Sequence, residues 1–278
     1  MINAHWPFNN PASRWTMQAL LTTIFFVFTH IEILSSSSID LDNLILFGKN
    51  NGDILLPPGD DYESSGKIDI TTPFPFFGQN FTSLYVTING LISFQKLFVS
   101  FKPKPFPLRG RAIIAPFWAD VDTTKGGAIW YRQNTTTHLL EVASLDVRKA
   151  FPDFQRFSAI WMFVATWEKV PFFENKNENI TNTFQTALLT DGRHSFVRFN
   201  YHNIKWTSAK SSGGNPNSGL GGTEAVCGFN AGFGNYFYDI TRNGYRNISV
   251  LDVAVESNVN KSRVWLFRTD DITIQEAN

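Results

Sequence analysis

Two carboxylates separated by a single residue are the first feature of this chain that could do chemistry. Asp120 and Asp122 follow an apolar run in the segment WADVDTTKGG. On an extended strand both side chains would face the same side, within reach of one cation and of carbonyl oxygens in the following turn. Calcium prefers such oxygen ligands but takes about six to eight of them, and Thr123 adds only one more. The alternative is that both aspartates solvate a turn and stabilise its backbone.

Catalysis by carboxylates would require a pair placed on either side of a scissile bond, as in glycoside hydrolysis. The best set in this chain is Asp120, Asp122, Glu141 and Glu168. Nothing in their spacing selects one pair, so the carboxylates do not predict a hydrolytic site.

Histidine and cysteine offer a second route, in which a base activates a nucleophile. His194 and Cys227 could pair in this way, but no third residue is indicated that would orient the base. His194 and His202 are too far apart for the zinc-binding HExxH helix. The sequence therefore predicts a protein without catalytic residues, and calcium is the one cofactor that its side chains suggest.

The sequence around the two aspartates predicts that hairpins position them. In residues 111–133, two aromatic-rich apolar runs flank a Gly-Gly pair, which predicts a hairpin that buries its Phe and Trp side chains and exposes its tip. A clearer signal is Asn89-Gly90, because both residues tolerate the positive φ angles of a type I′ turn. Asp191-Gly192 marks a further hairpin.

Other segments also have the composition of strands. Residues 72–81 contain prolines that confine them to a sheet edge or an extended connection, and residues 139–147 alternate moderately. Residues 156–170 are apolar enough for a strand that is buried on both faces. A helix is the alternative there, although the β-branched and aromatic content argues against it. Residues 208–222, rich in Gly, Ser and Asn, predict a long flexible loop. We find no convincing amphipathic helix. We therefore predict an all-β fold, an antiparallel β-sandwich or barrel-like sandwich with long loops and few helices.

Composition limits the classes of protein to which the chain can belong. Aromatic residues make up 15% of the 278 residues and charged residues only 17%, which gives ample material for a large core. The formal net charge is zero. This removes the general electrostatic attraction on which nucleic-acid binding depends, so we expect no nucleic-acid partner.

The amino terminus has the order of a secretory signal. Arg14 precedes a short apolar run at residues 19–28, and serines follow at residues 35–38. The run is interrupted too early to span a bilayer, so we expect no transmembrane segment after cleavage. We assign residues 1–37 to a signal peptide with an amino-terminal extension; a signal anchor or a buried helix is the alternative.

Glycosylation acceptors give independent support for secretion. The pattern Asn-X-Ser/Thr places its asparagine on the surface of a secreted protein. The pattern Asn-X-Ser/Thr occurs at Asn80, Asn134, Asn179, Asn247 and Asn260.

The lone Cys227 offers no disulfide framework. It is either buried and inert, or it pairs with another chain or with a region outside this sequence.

A cluster of cations without neighbouring acids suggests a second type of partner. No acidic residue lies between Asp69 and Asp120. Clustered Lys and Arg side chains attract polyanions such as sulfated polysaccharides, although a solvated loop is the simpler interpretation. The cations are Lys96, Lys102, Lys104, Arg109 and Arg111.

Several longer motifs resemble the NIDO (nidogen-like) domain, in its alpha-tectorin-like and sushi-nidogen-EGF-like forms. They include FPFFGQNFTSLYVTINGLISF, AIIAPFWADVDTTKGGAIWYR, NTFQTALLTDGRHSFVRFNY and CGFNAG, in this order. The resemblance spans residues 41–271 and leaves residues 272–278 as a tail. Cys227 stands where the family pattern has a small residue, and RVWLF departs from the usual final motif.

The resemblance implies a secreted, non-catalytic module of extracellular matrix and cell-matrix adhesion, with matrix or cell-surface proteins as partners. It suggests no catalytic residues. Such modules are usually parts of larger mosaics, so we expect either a stand-alone secreted form or an incomplete piece of a longer protein. A sandwich that binds carbohydrate or glycosaminoglycan is the alternative. Exposed tryptophans would support it, and Trp206 beside the Gly-rich loop is the best candidate because the others lie in apolar runs.

Overall fold

A computed structural model describes residues 43–134, 136–242 and 248–277. The predicted signal sequence and the acceptor Asn247 lie outside these residues and stay predictions. Within the described part, thirteen strands form two antiparallel sheets.

The larger sheet has seven strands in the order β1-β6-β7-β8-β9-β12-β13. Its central strands β7 and β8 are buried along almost their whole length, as expected for a sheet covered on both faces. Its strands are β1 (Ile54–Leu55), β6 (Ala128–Asn134), β7 (Trp161–Val170), β8 (Asn182–Thr190), β9 (Ser195–Asn203), β12 (Val264–Arg268) and β13 (Gln275–Glu276).

The smaller sheet has six strands in the order β11-β10-β5-β4-β3-β2. Its edge strand β2 contains Pro73 and Pro75. Proline has no backbone N–H to donate, and an inner strand must form backbone hydrogen bonds with a neighbour on each side. The prediction of an edge segment is therefore confirmed for residues 72–76, whereas residues 79–81 begin the neighbouring inner strand. The strands are β2 (Ile68–Phe76), β3 (Gln79–Val86), β4 (Ile92–Phe94), β5 (Ile113–Trp118), β10 (Val226–Asn230) and β11 (Phe237–Asp239).

Aromatic side chains from the two sheets meet in one core. Phe199 of β9 stacks on Phe229 of β10 with ring centroids 5.1 Å apart. Phe117 of β5 contacts Phe184 of β8 at 5.3 Å. Offset and edge-on ring pairs add to the free energy of burying apolar area. The predicted antiparallel β-sandwich is thus confirmed.

One α-helix, α1 (Thr137–Ala150), covers the outer face of the seven-stranded sheet. Its buried side chains include Leu140, Ala143 and Val147, which recur at helical spacing and pack with Met162 and Val164 of β7. The prediction of a strand at residues 139–147 was wrong. Apolar residues in a short window fit both periods, and tertiary contacts with the sheet select the helical one.

The predicted hairpin at residues 111–133 is also wrong. β5 pairs with β4 and β10, whereas β6 pairs with β1 and β7, so the two apolar runs belong to different sheets. The chain between them crosses from one sheet to the other. The two aspartates therefore lie on a buried crossing instead of an exposed tip.

The other two hairpin predictions are confirmed in topology. β3 pairs with β4 around Asn89-Gly90, and β8 pairs with β9 around Asp191-Gly192. The first turn is not type I′, because only Gly90 of the pair has a positive φ, 76°. A Cβ on Gly90 would lie 1.8 Å from the Phe117 carbonyl oxygen, so this approach of two backbones requires glycine.

Candidate functional site

Asp120 and Asp122 lie in the crossing between the sheets and are almost fully buried, with exposed fractions of 1% and 4%. The Asp122 carboxylate caps the short 3₁₀ turn Thr123–Lys125 by accepting the Thr124 amide at 2.9 Å and the Thr124 hydroxyl at 2.5 Å. This is the backbone-stabilising role that short acidic side chains take at turns.

Asn89 joins this crossing to the rest of the protein. Its side-chain oxygen accepts the Val121 amide at 2.9 Å, and its side-chain amide donates to the Asp61 carbonyl at 3.0 Å. Its backbone carbonyl accepts the Ala119 amide at 3.2 Å. From the sequence, Asn89 was predicted only as a turn residue. Its hydrogen bonds to distant segments could not be predicted, because such contacts leave no local pattern in the sequence.

A second set of acidic residues reaches the crossing from the segment before β2. Gly59 and Thr123 exchange hydrogen bonds, with the Thr123 amide 2.8 Å from the Gly59 carbonyl and the Gly59 amide 2.9 Å from the Thr123 hydroxyl. This brings the carboxylates that follow Gly59 towards Asp120. The carboxylate cluster, as we call it, consists of Asp60, Asp61, Glu63, Asp120 and Asp122.

Asp120 is the perturbed member of the carboxylate cluster. The pKa of Asp120 is raised to about 7, chiefly by burial and also by the charges of Asp61, Asp122 and Asp60, while a hydrogen bond from the Ser211 hydroxyl opposes the increase. Its other carboxylate oxygen, Oδ1, is buried without a hydrogen-bond partner. The pKa of Asp61 is also raised, by its partial burial and then by Asp60 and Glu63.

The predicted calcium site lies within the carboxylate cluster. Among the described residues, no three His, Cys, Asp or Glu side chains group in a way that could hold a metal ion. Asp122 already commits one oxygen to Thr124. Calcium at Asp120 and Asp122 therefore stays a prediction. The best available ligand for such an ion is Asp120 Oδ1, which has no hydrogen-bond partner.

The remaining carboxylate candidates are engaged with their own neighbours. Glu141 pairs with Arg148 on the surface of α1, with Nη2 and Oε1 2.5 Å apart. Glu168 accepts the Trp130 indole N–H at 2.9 Å. Each side chain has a structural partner, and within the described residues neither forms a hydrogen bond or ion pair with the carboxylate cluster.

The base and nucleophile candidates lie on different elements. His194 lies in the β8–β9 turn, where its Nδ1 is 3.0 Å from Asp191 Oδ2. Cys227 is fully buried in β10 as a free thiol. Burial raises the pKa of this thiol, which disfavours the nucleophilic thiolate. Of the two alternatives for this cysteine, the structure supports the buried one.

The tryptophans mostly belong to the core. Trp118, Trp161 and Trp167 are fully buried. Trp206, predicted to be the exposed exception, is fully buried too, and its indole N–H donates to the Val170 carbonyl at 3.0 Å. That prediction was wrong because the Gly-rich loop packs closely against Trp206: a Cβ on Gly219 would lie 2.4 Å from the Trp206 Cβ.

The predicted cations lie in residues 95–112, which we call the basic loop. This loop packs on the outer face of the six-stranded sheet, where Phe98, Phe106 and Leu108 contact Trp118 and its apolar neighbours. Lys96, Lys102, Lys104 and Arg109 are exposed, and Arg111 is half-buried. The structure therefore brings all five predicted cations onto one surface segment.

Four of the five glycosylation acceptors are described. Asn80, Asn179 and Asn260 are exposed, and each lies in or next to a turn. Asn134 is half-buried at the end of β6, where its side-chain oxygen accepts the Thr136 amide at 2.6 Å. Exposure at these positions leaves room for glycans, whose presence stays a prediction.

Comparison with known proteins identifies relatives of the chain. It is 41% identical to alpha-tectorin of Homo sapiens and 43% identical to that of Gallus gallus, over 222 residues that cover 80% of this chain and 10% of each relative. It is 33% identical to nidogen of Drosophila melanogaster over 78% of this chain and 16% of the relative. The chain thus spans a small part of the length of these relatives.

No solved structure shows significant similarity to the chain. Within the part that the structure describes, no helix is both long and apolar enough to cross a membrane. The family model described as "Nidogen-like domain" matches residues 82–271, which are most of the sandwich. The chain therefore belongs to the NIDO family of nidogen-like domains and is a secreted protein of the extracellular matrix.

Proposed function

We propose that the sandwich is a non-catalytic module that binds other extracellular-matrix or cell-surface proteins. Its relatives support this proposal, as does the observation that its candidate catalytic side chains are buried apart from one another or paired with structural neighbours. The observation that carries the proposal furthest is the edge strand β1.

β1 ends the seven-stranded sheet and pairs on one side only, with β6. Its side chains Ile54 and Leu55 are 56% and 49% exposed. An edge strand with open backbone groups and apolar side chains can accept a strand or an apolar patch of a second protein. Burial of both side chains in such a contact would contribute apolar area to binding.

The test compares two double variants of the secreted chain. Ile54→Ser with Leu55→Ser removes the apolar edge, and Val255→Ser with Ile272→Ser removes two exposed apolar side chains elsewhere. Each protein is immobilised and incubated with solubilised matrix extract, and bound proteins are identified by mass spectrometry. We expect the edge variant to lose proteins that the wild type and the control retain. Equal capture by both variants would contradict the assignment to β1, and processing of captured proteins would contradict a non-catalytic role.

Binding of glycosaminoglycan is the second candidate function. The observation that favours it is the basic loop, whose five cations lie on a surface separate from β1 and form no ion pair within the described residues.

A further inference from the structure

We propose that the basic loop is a binding site for a linear sulfated polysaccharide, which rests on the second candidate function named above and does not depend on protein-protein contacts at β1. The cations from Lys96 to Arg111 lie in a loop that packs on the outer face of the six-stranded sheet, and four of the five are exposed. The chemistry of recognition is ion pairing between sulfate groups and ammonium or guanidinium groups. Guanidinium is especially suited because its fork of N–H donors matches the oxygens of such anions.

The distribution of charge supports an anionic occupant. Residues 70–119, which contain most of β2 and all of β3, β4 and β5, hold no acidic side chain. The net charge of the chain is zero, so the compensating acids lie elsewhere, in part in the carboxylate cluster. A local positive field on a neutral protein attracts a polyanion to one face instead of to the whole surface.

The basic loop is anchored before any ligand binds. The Trp118 indole N–H donates to the Ser100 carbonyl at 2.6 Å. The Asn230 side chain accepts the Leu108 amide at 2.9 Å and donates to the Leu108 and Arg111 carbonyls at 2.7 and 2.6 Å. An anchored loop loses less conformational entropy on binding than a free one, which favours affinity.

Aromatic rings position two of the cations. The Arg111 guanidinium lies 5.1 Å from the Phe98 ring centroid, and the Lys102 ammonium lies 5.7 Å from that of Phe101. Phe98 in turn packs edge-on against the buried Trp118, with centroids 5.5 Å apart. Such contacts restrict the cations without neutralising them, so their charge remains available to a ligand.

The spacing of the cations along the basic loop favours a linear chain over a compact anion. The cations are spread along the basic loop, and Lys96 continues the surface into a shallow groove beside Gly232 and Phe233. A chain with regularly spaced sulfates can contact such separated cations at the same time, whereas a single phosphate cannot. Anionic lipid would use the same charges, and the experiment distinguishes the two.

The experiment measures binding of the secreted, glycosylated chain to a heparin dodecasaccharide at physiological salt. The test variant is Lys96→Ala with Lys102→Ala and Lys104→Ala. The matched control removes the same number of exposed positive charges with Lys125→Ala, Lys149→Ala and Lys176→Ala. We expect the test variant to bind at least about tenfold more weakly, because each lost ion pair also loses its released counterions. The control should bind like the wild type.

Three results would overturn the proposal. They are absent binding of the wild type, equal weakening in both variants, and binding of the wild type to vesicles of phosphatidylserine and phosphatidylcholine but not to heparin. Unsulfated hyaluronan, tested in parallel, should bind at least tenfold more weakly than heparin. Thermal unfolding of each variant establishes that the exposed substitutions leave the fold intact.

Discussion

The side-chain oxygen of Asn89 accepts the amide of Val121 at 2.9 Å, which ties the β3–β4 turn to the crossing between the sheets. The same side chain donates to the Asp61 carbonyl at 3.0 Å. One fully buried asparagine therefore holds together three segments that are far apart in sequence.

Replacing Asn89 should destabilise the protein strongly. Asn89→Ala leaves the Val121 amide and the Asp61 carbonyl without these partners, so we expect a loss of about 2–4 kcal/mol in the free energy of unfolding. Urea titration followed by tryptophan fluorescence measures it. Thr82→Ala, at an exposed position in β3, is the control and should change stability by less than about 0.5 kcal/mol. A small effect of Asn89→Ala would mean that the crossing is held by other contacts.

Asp120 should make stability depend on pH. Because burial raises its pKa to about 7 in the folded protein, from 3.8, the folded state binds the proton more tightly than the unfolded state does. Ionisation of Asp120 therefore costs stability as pH rises from about 4 to about 7, and the cost is complete above that range. Asp120→Asn removes this cost and retains a partner for Ser211.

We accordingly expect Asp120→Asn to be more stable than the wild type at pH 8 by on the order of 2 kcal/mol, and nearly equal to it at pH 4. Urea midpoints at both pH values measure the difference. A constant difference across this pH range would show that Asp120 does not titrate there.

Calcium provides a separate test of the carboxylate cluster. If Asp120 and Asp122 bind calcium as predicted, millimolar calcium should raise the melting temperature of the wild type, because a ligand that binds only the folded state stabilises it. Asp120→Asn should lose this increase. Magnesium at equal ionic strength is the control, and an unchanged melting temperature of the wild type would show the prediction to be wrong.

The Gly-rich loop should tolerate alanine at one glycine and not at another. Gly219 and Gly221 both have positive φ, 65° and 81°, but only a Cβ on Gly219 meets other atoms, 2.4 Å from the Trp206 Cβ and 2.8 Å from the Phe172 ring. Gly221→Ala should cost about 1 kcal/mol through backbone strain alone. Gly219→Ala should cost at least about 2 kcal/mol more through overpacking. Equal losses in thermal unfolding would contradict the packing of this loop on Trp206.

Glycan occupancy should follow exposure. Asn80, Asn179 and Asn260 are exposed and should be modified in the secreted chain, whereas Asn134 is half-buried and should be modified least. Enzymatic glycan release in heavy-oxygen water followed by peptide mass spectrometry measures each site. Unmodified asparagine at all exposed acceptors would argue against passage through the secretory pathway.

Sequence reasoning predicted the sheets better than their connections. Asp191-Gly192 and the edge prolines of β2 have local causes, so the corresponding hairpin and edge strand could be predicted. The strand pairing of residues 111–133 could not be predicted, because the local pattern of two apolar runs with glycines between them does not determine which sheet each run joins.

The candidate sites show the same limit. The five cations of the basic loop were identified because charge is visible in a sequence. The burial of Asp120, the contacts of Asn89 and the covering of Trp206 depend on segments remote in the chain. Such contacts follow from the fold and could not be predicted from local residue types.

The fully buried Cys227 is the single cysteine of the chain, so an intrachain disulfide cannot form. Folding of this domain in the endoplasmic reticulum should therefore require no oxidase or disulfide isomerase. This domain should also keep its fold when reductants are present in its surroundings, unlike matrix modules that are cross-linked through disulfides.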